Sequence, residues 1–134
     1  MSMAWRMAQI SKAKRLHVGA VLLLPSGVLV PSVNGMPKQL GNDCEEIING
    51  EIVTKPEVIH AEEQIINKCS LEGLSSKNGI LYCTHSCCRH CSSRIIASGI
   101  VEYVYSSDYR DSVGIDNLKK SGIIVRKIDY KGVY

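Results

Sequence analysis

The chain has 134 residues, 45% of them hydrophobic, enough for one domain with a core of its own. Its net charge is only +3, split between Lys12, Lys14 and Arg15 near the start and Lys119, Lys120, Arg126 and Lys127 near the end. So weak and divided a basic character, with no Phe and one Trp, excludes the charge footprint and stacking platforms of a nucleic-acid polymer binder and points to a small partner.

The opening MSMAWRMAQISKAKRL lacks a long apolar core with a small-residue cleavage site, so a cytoplasmic location is expected. Residues 4–15 suit a helix, with Met7, Ile10 and Lys14 three and four apart. Val18 to Leu24 and Val28 to Val33 are β-rich runs around Pro25-Ser26-Gly27, which reads as a hairpin too short and broken to span a bilayer. The next stretch, VNGMPKQLGNDCEEIINGEIVTKP, is dense in Gly, Asn and Pro and reads as a long irregular segment, functional or disordered.

From His60 to about Ser70, Ala61, Ile65, Ile66 and Cys69 form one helical stripe. A strand from Gly79 to Thr84 precedes a helix that begins near Cys87, turns Cys88, Cys91, Ile95 and Ile96 inward, and ends at Gly99. Residues 101–105 read as a strand, 112–121 as a helix and 122–128 as a last strand. Strands alternating with helices predict a single α/β domain over residues 1–134, its sheet covered on both faces.

CTHSCCRHC, residues 83–91, holds six potential metal ligands in nine positions. In a reducing compartment such clusters point to metal or catalysis rather than disulfides. Cys88 and Cys91, three apart in a first helical turn, suit two bonds to one tetrahedral Zn²⁺, and the helix N-terminus favours their thiolates. No second CxxC exists, but HAEE, residues 60–63, opens another helix. His60 as third ligand leaves a fourth position for water, the pattern of a catalytic zinc, and Glu62 reaches the same place from the first turn. Two alternatives stand beside this set. One pairs Cys87 with Cys91; the other closes a structural site from Cys83, His85, Cys88 and Cys91 and leaves Glu62 idle. Cys83 on its strand otherwise reads as a small buried hydrophobe, His17 and His90 as surface residues, and Tyr103 and Tyr105 as packing. Arg110, Lys12, Lys14 and Arg15 read equally well as solvated charges.

His60-Ala61-Glu62 followed by Cys88-Arg89-His90-Cys91 resembles the zinc nucleobase deaminase signature, in which the Glu moves protons without binding the metal. Cys87 replaces its proline, which supplies a preset φ rather than chemistry. With NGMP (34–37), GNDCEE (41–46), Thr84-His85-Ser86, ASGI (97–100) and SSDYRD (106–111), the chain from about Ala8 to Asp129 is similar to the deoxycytidylate deaminase family, its phage members in particular.

The resemblance implies a cytidine-deaminase-like three-layer α/β/α fold around a mixed five-stranded sheet. It implies hydrolysis of dCMP to dUMP and ammonia, feeding dTTP synthesis, with a catalytic Zn²⁺ on His60, Cys88 and Cys91 and Glu62 as proton shuttle. Backbone amides near Ala61 and Ser86 would hold the base, His85 border its plane, Asn34 meet the deoxyribose hydroxyl, and Tyr109 and Arg110 take the 5′-phosphate. Activation by dCTP, accompanied by Mg²⁺, and inhibition by dTTP would use a separate site around Gly35, Asn42, Asp43 and Glu46, in a hexamer. Deamination of dCTP or another cytosine compound is the neighbouring expectation. Some phage relatives bind a second zinc near the position of Cys44, which here has no visible partner set.

Overall fold

The computed structural model describes residues 1–130. Helix α1 (Ser2–Ala8) precedes strands β1 (Gly19–Leu23) and β2 (Leu29–Val33), and a small hairpin, β3 (Glu45–Ile48) and β4 (Glu51–Thr54), comes next. Then follow α2 (Ala61–Glu72), β5 (Ile80–His85), α3 (Arg89–Ala97), β6 (Glu102–Ser107), α4 (Val113–Lys120) and β7 (Ile124–Lys127). The main sheet has the order β2-β1-β5-β6-β7. It is mixed: β1 runs antiparallel to β2 and β5, whereas β5, β6 and β7 are parallel.

Parallel neighbours need crossovers, and such crossovers are right-handed, so α3 and α4 fall on the same face of the sheet. There α3 packs on α4 and α2, which also covers β1 and β2. On the opposite face α1 lies over β1, β2 and β5, completing the three layers. Period-two alternation sends Leu22, Leu81 and Tyr103 from the sheet to meet Ile65 of α2, Ile95 of α3 and Leu118 of α4, all fully buried. Each such side chain contributes about 1.5–3 kcal/mol of burial.

The first helix is shorter than the spacing of its apolar residues predicts, and shifted toward the terminus. Ile10 stays 59% exposed, so continuing the stripe would gain no burial. The amides beyond it find other acceptors: Ala13 N–H donates to Ser11 Oγ (3.2 Å), and Lys14 and Arg15 N–H donate to Glu45 Oε1 (2.7 and 3.1 Å). Long-range partners thus outweigh a weak helical propensity.

The segment read as irregular contains the β3–β4 hairpin. Its turn is Asn49-Gly50, with φ of 51° and 78°, the doubly left-handed pair that matches strand twist in a two-residue loop. That dipeptide is itself a hairpin signal, and the Gly and Pro content around it hid it. Among the described residues the hairpin pairs only with itself, and it leaves Ile47 and Ile52 in solvent.

Packing of α1 depends on one missing side chain. A Cβ at Gly19 would sit 2.0 Å from the Ala4 carbonyl oxygen and 2.5 Å from the Ala8 nitrogen, so strand and helix touch backbone to backbone. Gly19→Ala is expected to lift α1 and lower stability by roughly 2–4 kcal/mol, read as an earlier urea midpoint with little change in slope.

Candidate active site

Helices α2 and α3 start beside the carboxyl ends of the parallel strands, where ligands gather in α/β sheets. His60 is the N-cap of α2 and Cys88 that of α3, both with extended backbone. The Cys88 sulfur accepts the Cys91 amide at 3.4 Å, so it caps its own helix. His60 Nδ1 lies 3.5 Å from Cys88 Sγ and 3.4 Å from Cys91 Sγ. The three donor atoms fall within 4.8 Å of one another, the only such group among the described residues. Two sulfurs and one imidazole nitrogen are a donor set that suits Zn²⁺.

The three groups divide their protons unequally. Cys88 is pulled down to about 3 by hydrogen bonding from Cys91, with His60 and the Cys91 amide adding to it. Cys91, as the partner that keeps the proton, is held up. His60 is raised, first by its hydrogen bond to Cys88.

The other candidates of the cysteine-rich stretch lie elsewhere. Cys87 is buried in the core and its thiol is pushed up by burial, so it stays a thiol outside the donor group. Cys83 is equally buried. Thr84 Oγ1 already accepts the Gly19 amide (3.2 Å) and sits 2.8 Å from His85 Nδ1. The His85 ring is thus hydrogen-bonded to Thr84 through Nδ1, and burial lowers its pKa and favours the neutral imidazole. His85 stands outside the His60, Cys88 and Cys91 donor group. Cys44 is buried at the base of the hairpin, with its thiol directed at the Asn42 carbonyl.

Glu62, 4% exposed, lies just inside the first turn of α2, and burial raises its carboxyl above the usual range. A cleft of 390 Å³ opens over it, bounded by His60, His85, Asn34, Tyr109 and Arg110. Asn34 is locked: Oδ1 accepts from Ser11 Oγ (2.8 Å) and Val18 N–H (3.0 Å), and Nδ2 donates to the Leu16 carbonyl (2.9 Å). One amide hydrogen of its NH₂ group remains for a ligand.

Ser86 corrects the expectation that its amide holds a base. That amide donates to the Ser107 carbonyl at 2.9 Å, because the strand pairing of β5 and β6 carries on past His85. The Ser86 hydroxyl instead accepts the Tyr109 amide (2.7 Å) and ties down the loop carrying Tyr109 and Arg110. Arg110 takes a left-handed φ of 48° and places its guanidinium 5.1 Å from the Tyr109 ring centre.

Arg15 also lines the cleft, a placement that a helix over 4–15 would have hidden. It is brought there by the loop after α1, and its Nη1 donates to Thr54 Oγ1 of the hairpin at 3.2 Å. A second, open groove of 870 Å³ is bordered by Gly35 and Asn42 together with Lys12, Lys38 and Lys68. Asp43 and Glu46, expected at the same site, are exposed and do not border it.

A family profile described as the cytidine and deoxycytidylate deaminase zinc-binding region matches residues 1–107. The chain belongs to this deaminase family. Deoxycytidylate deaminase of Saccharomyces cerevisiae is 31% identical over 97% of this chain and 44% of its own length, so the chain spans less than half of that relative. ComE operon protein 2 of Bacillus subtilis is 27% identical over 96% of this chain and 69% of its own length. The dCMP deaminase of cyanophage S-TIM5, crystallised with dCMP and dUMP, is 34% identical over 95% of this chain and 92% of its own, with a TM-score of 0.86.

In this chain the cysteine loop is wedged against α4. A Cβ at Gly114 would lie 2.1 Å from the Cys87 carbonyl oxygen and 2.8 Å from that of Cys88. Metal analysis of purified variants is expected to show zinc lost from His60→Ala, Cys88→Ala and Cys91→Ala and kept in Cys87→Ala. Gly114→Ala is expected to lower zinc retention too, because the added methyl must push the loop off its place.

Proposed function

We propose that this chain catalyses the zinc-dependent hydrolytic deamination of dCMP to dUMP and ammonia in the cytoplasm, supplying dUMP for dTTP synthesis. The observation that carries the reading is the His60, Cys88 and Cys91 donor group beside a buried Glu62. It is supported by likeness to a phage enzyme seen with dCMP and dUMP.

Held by His60, Cys88 and Cys91, zinc supplies the Lewis acidity that makes water nucleophilic near neutral pH. Glu62, raised by burial, accepts one proton from water and passes it to N3 of the base, then takes the second proton from the oxygen added at C4 and gives it to the departing amine. The Ala61 amide, in the first turn of α2 and without an intrahelical acceptor, holds the base, and neutral His85 borders its plane. The spare N–H of Asn34 meets the deoxyribose hydroxyl. Arg110 and Arg15, with Tyr109, take the 5′-phosphate at the mouth of the cleft.

The substrate preference is tested with dCMP, dCTP, CMP and deoxycytidine on the zinc-loaded enzyme, dCMP being the expected best. Glu62→Ala should keep its zinc and lose at least about a hundredfold in kcat. Wild-type turnover in that variant would remove the mechanism. A hydrogen bond to a charged group contributes about 1.5–3 kcal/mol, so Arg110→Ala should lower kcat/KM for dCMP by roughly 10- to 100-fold. Deoxycytidine, lacking the phosphate, should hardly feel the same change.

Regulation belongs to the same reading: dCTP, with Mg²⁺, activates and dTTP inhibits from the groove at Gly35 and Asn42, in a hexamer. Lys12, Lys38 and Lys68 give that groove the cations a triphosphate needs. An effector shifts activity only by binding two states unequally. The dCMP saturation curve is therefore expected to be sigmoidal alone and nearly hyperbolic with dCTP. Lys38→Ala should raise the dCTP concentration required by roughly tenfold. A hyperbolic monomer indifferent to dTTP would remove the regulation and leave the deaminase chemistry standing.

A further inference from the structure

Tyr103 lies in the middle of β6 and is fully buried, beside Leu81 of β5 and Val125 of β7 in the strand register. A phenylalanine would fill that space as well. The hydroxyl is what needs explaining, since a buried phenol requires a partner. It has two. Its oxygen lies 2.7 Å from the carbonyl oxygen of His85, the last residue of β5, and 3.3 Å from Oε1 of Glu62.

We propose that Tyr103 is a positioning residue for Glu62: its hydroxyl, anchored on the His85 carbonyl, keeps the Glu62 carboxyl in one place. The proposal rests on the deaminase reading above. A phenol has one proton to donate and lone pairs to accept with, so one hydroxyl can hold the His85 carbonyl and the Glu62 carboxyl together. Burial pushes the phenol well above its ordinary range, so it stays protonated and transfers nothing itself.

The same hydroxyl ties Glu62 to the end of β5, and therefore to His85 at the wall of the cleft. The carboxyl and the surface the base lies against share one anchor. A carboxyl misplaced by about 1 Å costs about a hundredfold in rate.

The test is Tyr103→Phe in the zinc-loaded enzyme. Expected are an unchanged zinc content, a kcat for dCMP lowered by about 10- to 100-fold, and a KM within about twofold of wild type. A pyrimidin-2-one deoxynucleotide provides a second readout, because it binds tightly only after water adds to its ring, a state that needs Glu62 in position. Its affinity should fall by about the factor seen in kcat, while that of dUMP is unchanged. An unaltered kcat overturns the proposal. So does a loss carried in KM with both ligands weakened alike, which would assign the hydroxyl to the strand end alone. A wild-type protein without deaminase activity overturns the functional reading and the proposal together.

Discussion

Two helix N-termini have to meet at one point, and the chemistry of this molecule hangs on that meeting. His60 opens α2 and Cys88 opens α3, and only when both helices lie on the same face of the sheet do their first turns bring an imidazole and two sulfurs together. The handedness of the β5-α3-β6 and β6-α4-β7 crossovers settles where α3 and α4 can go. Close backbone packing of Gly114 against the Cys87 and Cys88 carbonyls then sets how deep the cysteine loop sits. The Arg94–Glu63 ion pair between α3 and α2, 3.1 Å long and partly exposed, adds at most about 1 kcal/mol to this arrangement. Packing carries it.

Around that point the cleft is assembled from pieces far apart in sequence, joined by polar contacts rather than by apolar ones. Asn34 is held by Ser11, Leu16 and Val18; Ser86 holds Tyr109; Glu45 holds the amides of Lys14 and Arg15. Each of these bonds fixes a loop whose own sequence has little conformational preference. The outcome is a mouth bearing two arginines above a floor that is neutral at His85 and buried at Glu62.

That distinction explains what was legible in the sequence. Elements that bury an apolar stripe, α2, α3 and the strands β1, β5 and β6, could be read within a residue or two of their ends, because periodicity is a local property. His60, Cys88, Cys91 and Glu62, singled out by their spacing and by the family signature, do come together. The end of α1 was not: it is decided by Ser11 and by Glu45, about thirty residues away, and no window over residues 4–15 contains Glu45. With that helix overlong, Arg15 read as a solvated charge instead of a cleft residue. The β3–β4 hairpin was readable from Asn49-Gly50 and was passed over because its neighbours resemble a loop. Tyr103 shows a different limit, since alternation in EYVYSS reveals which face a side chain takes and nothing about what its hydroxyl will touch.

The capping role of Cys88 restricts what evolution or design can place there. Its sulfur serves two clients at once, the metal-binding group and the Cys91 amide that starts α3. Serine or aspartate would cap the helix at least as well and would surrender the soft thiolate. Histidine would keep a zinc ligand and surrender the cap, loosening the very turn that presents Cys91. Interchange between ligand types, which many metal sites tolerate, is therefore narrowed at position 88 by the backbone as well as by the metal.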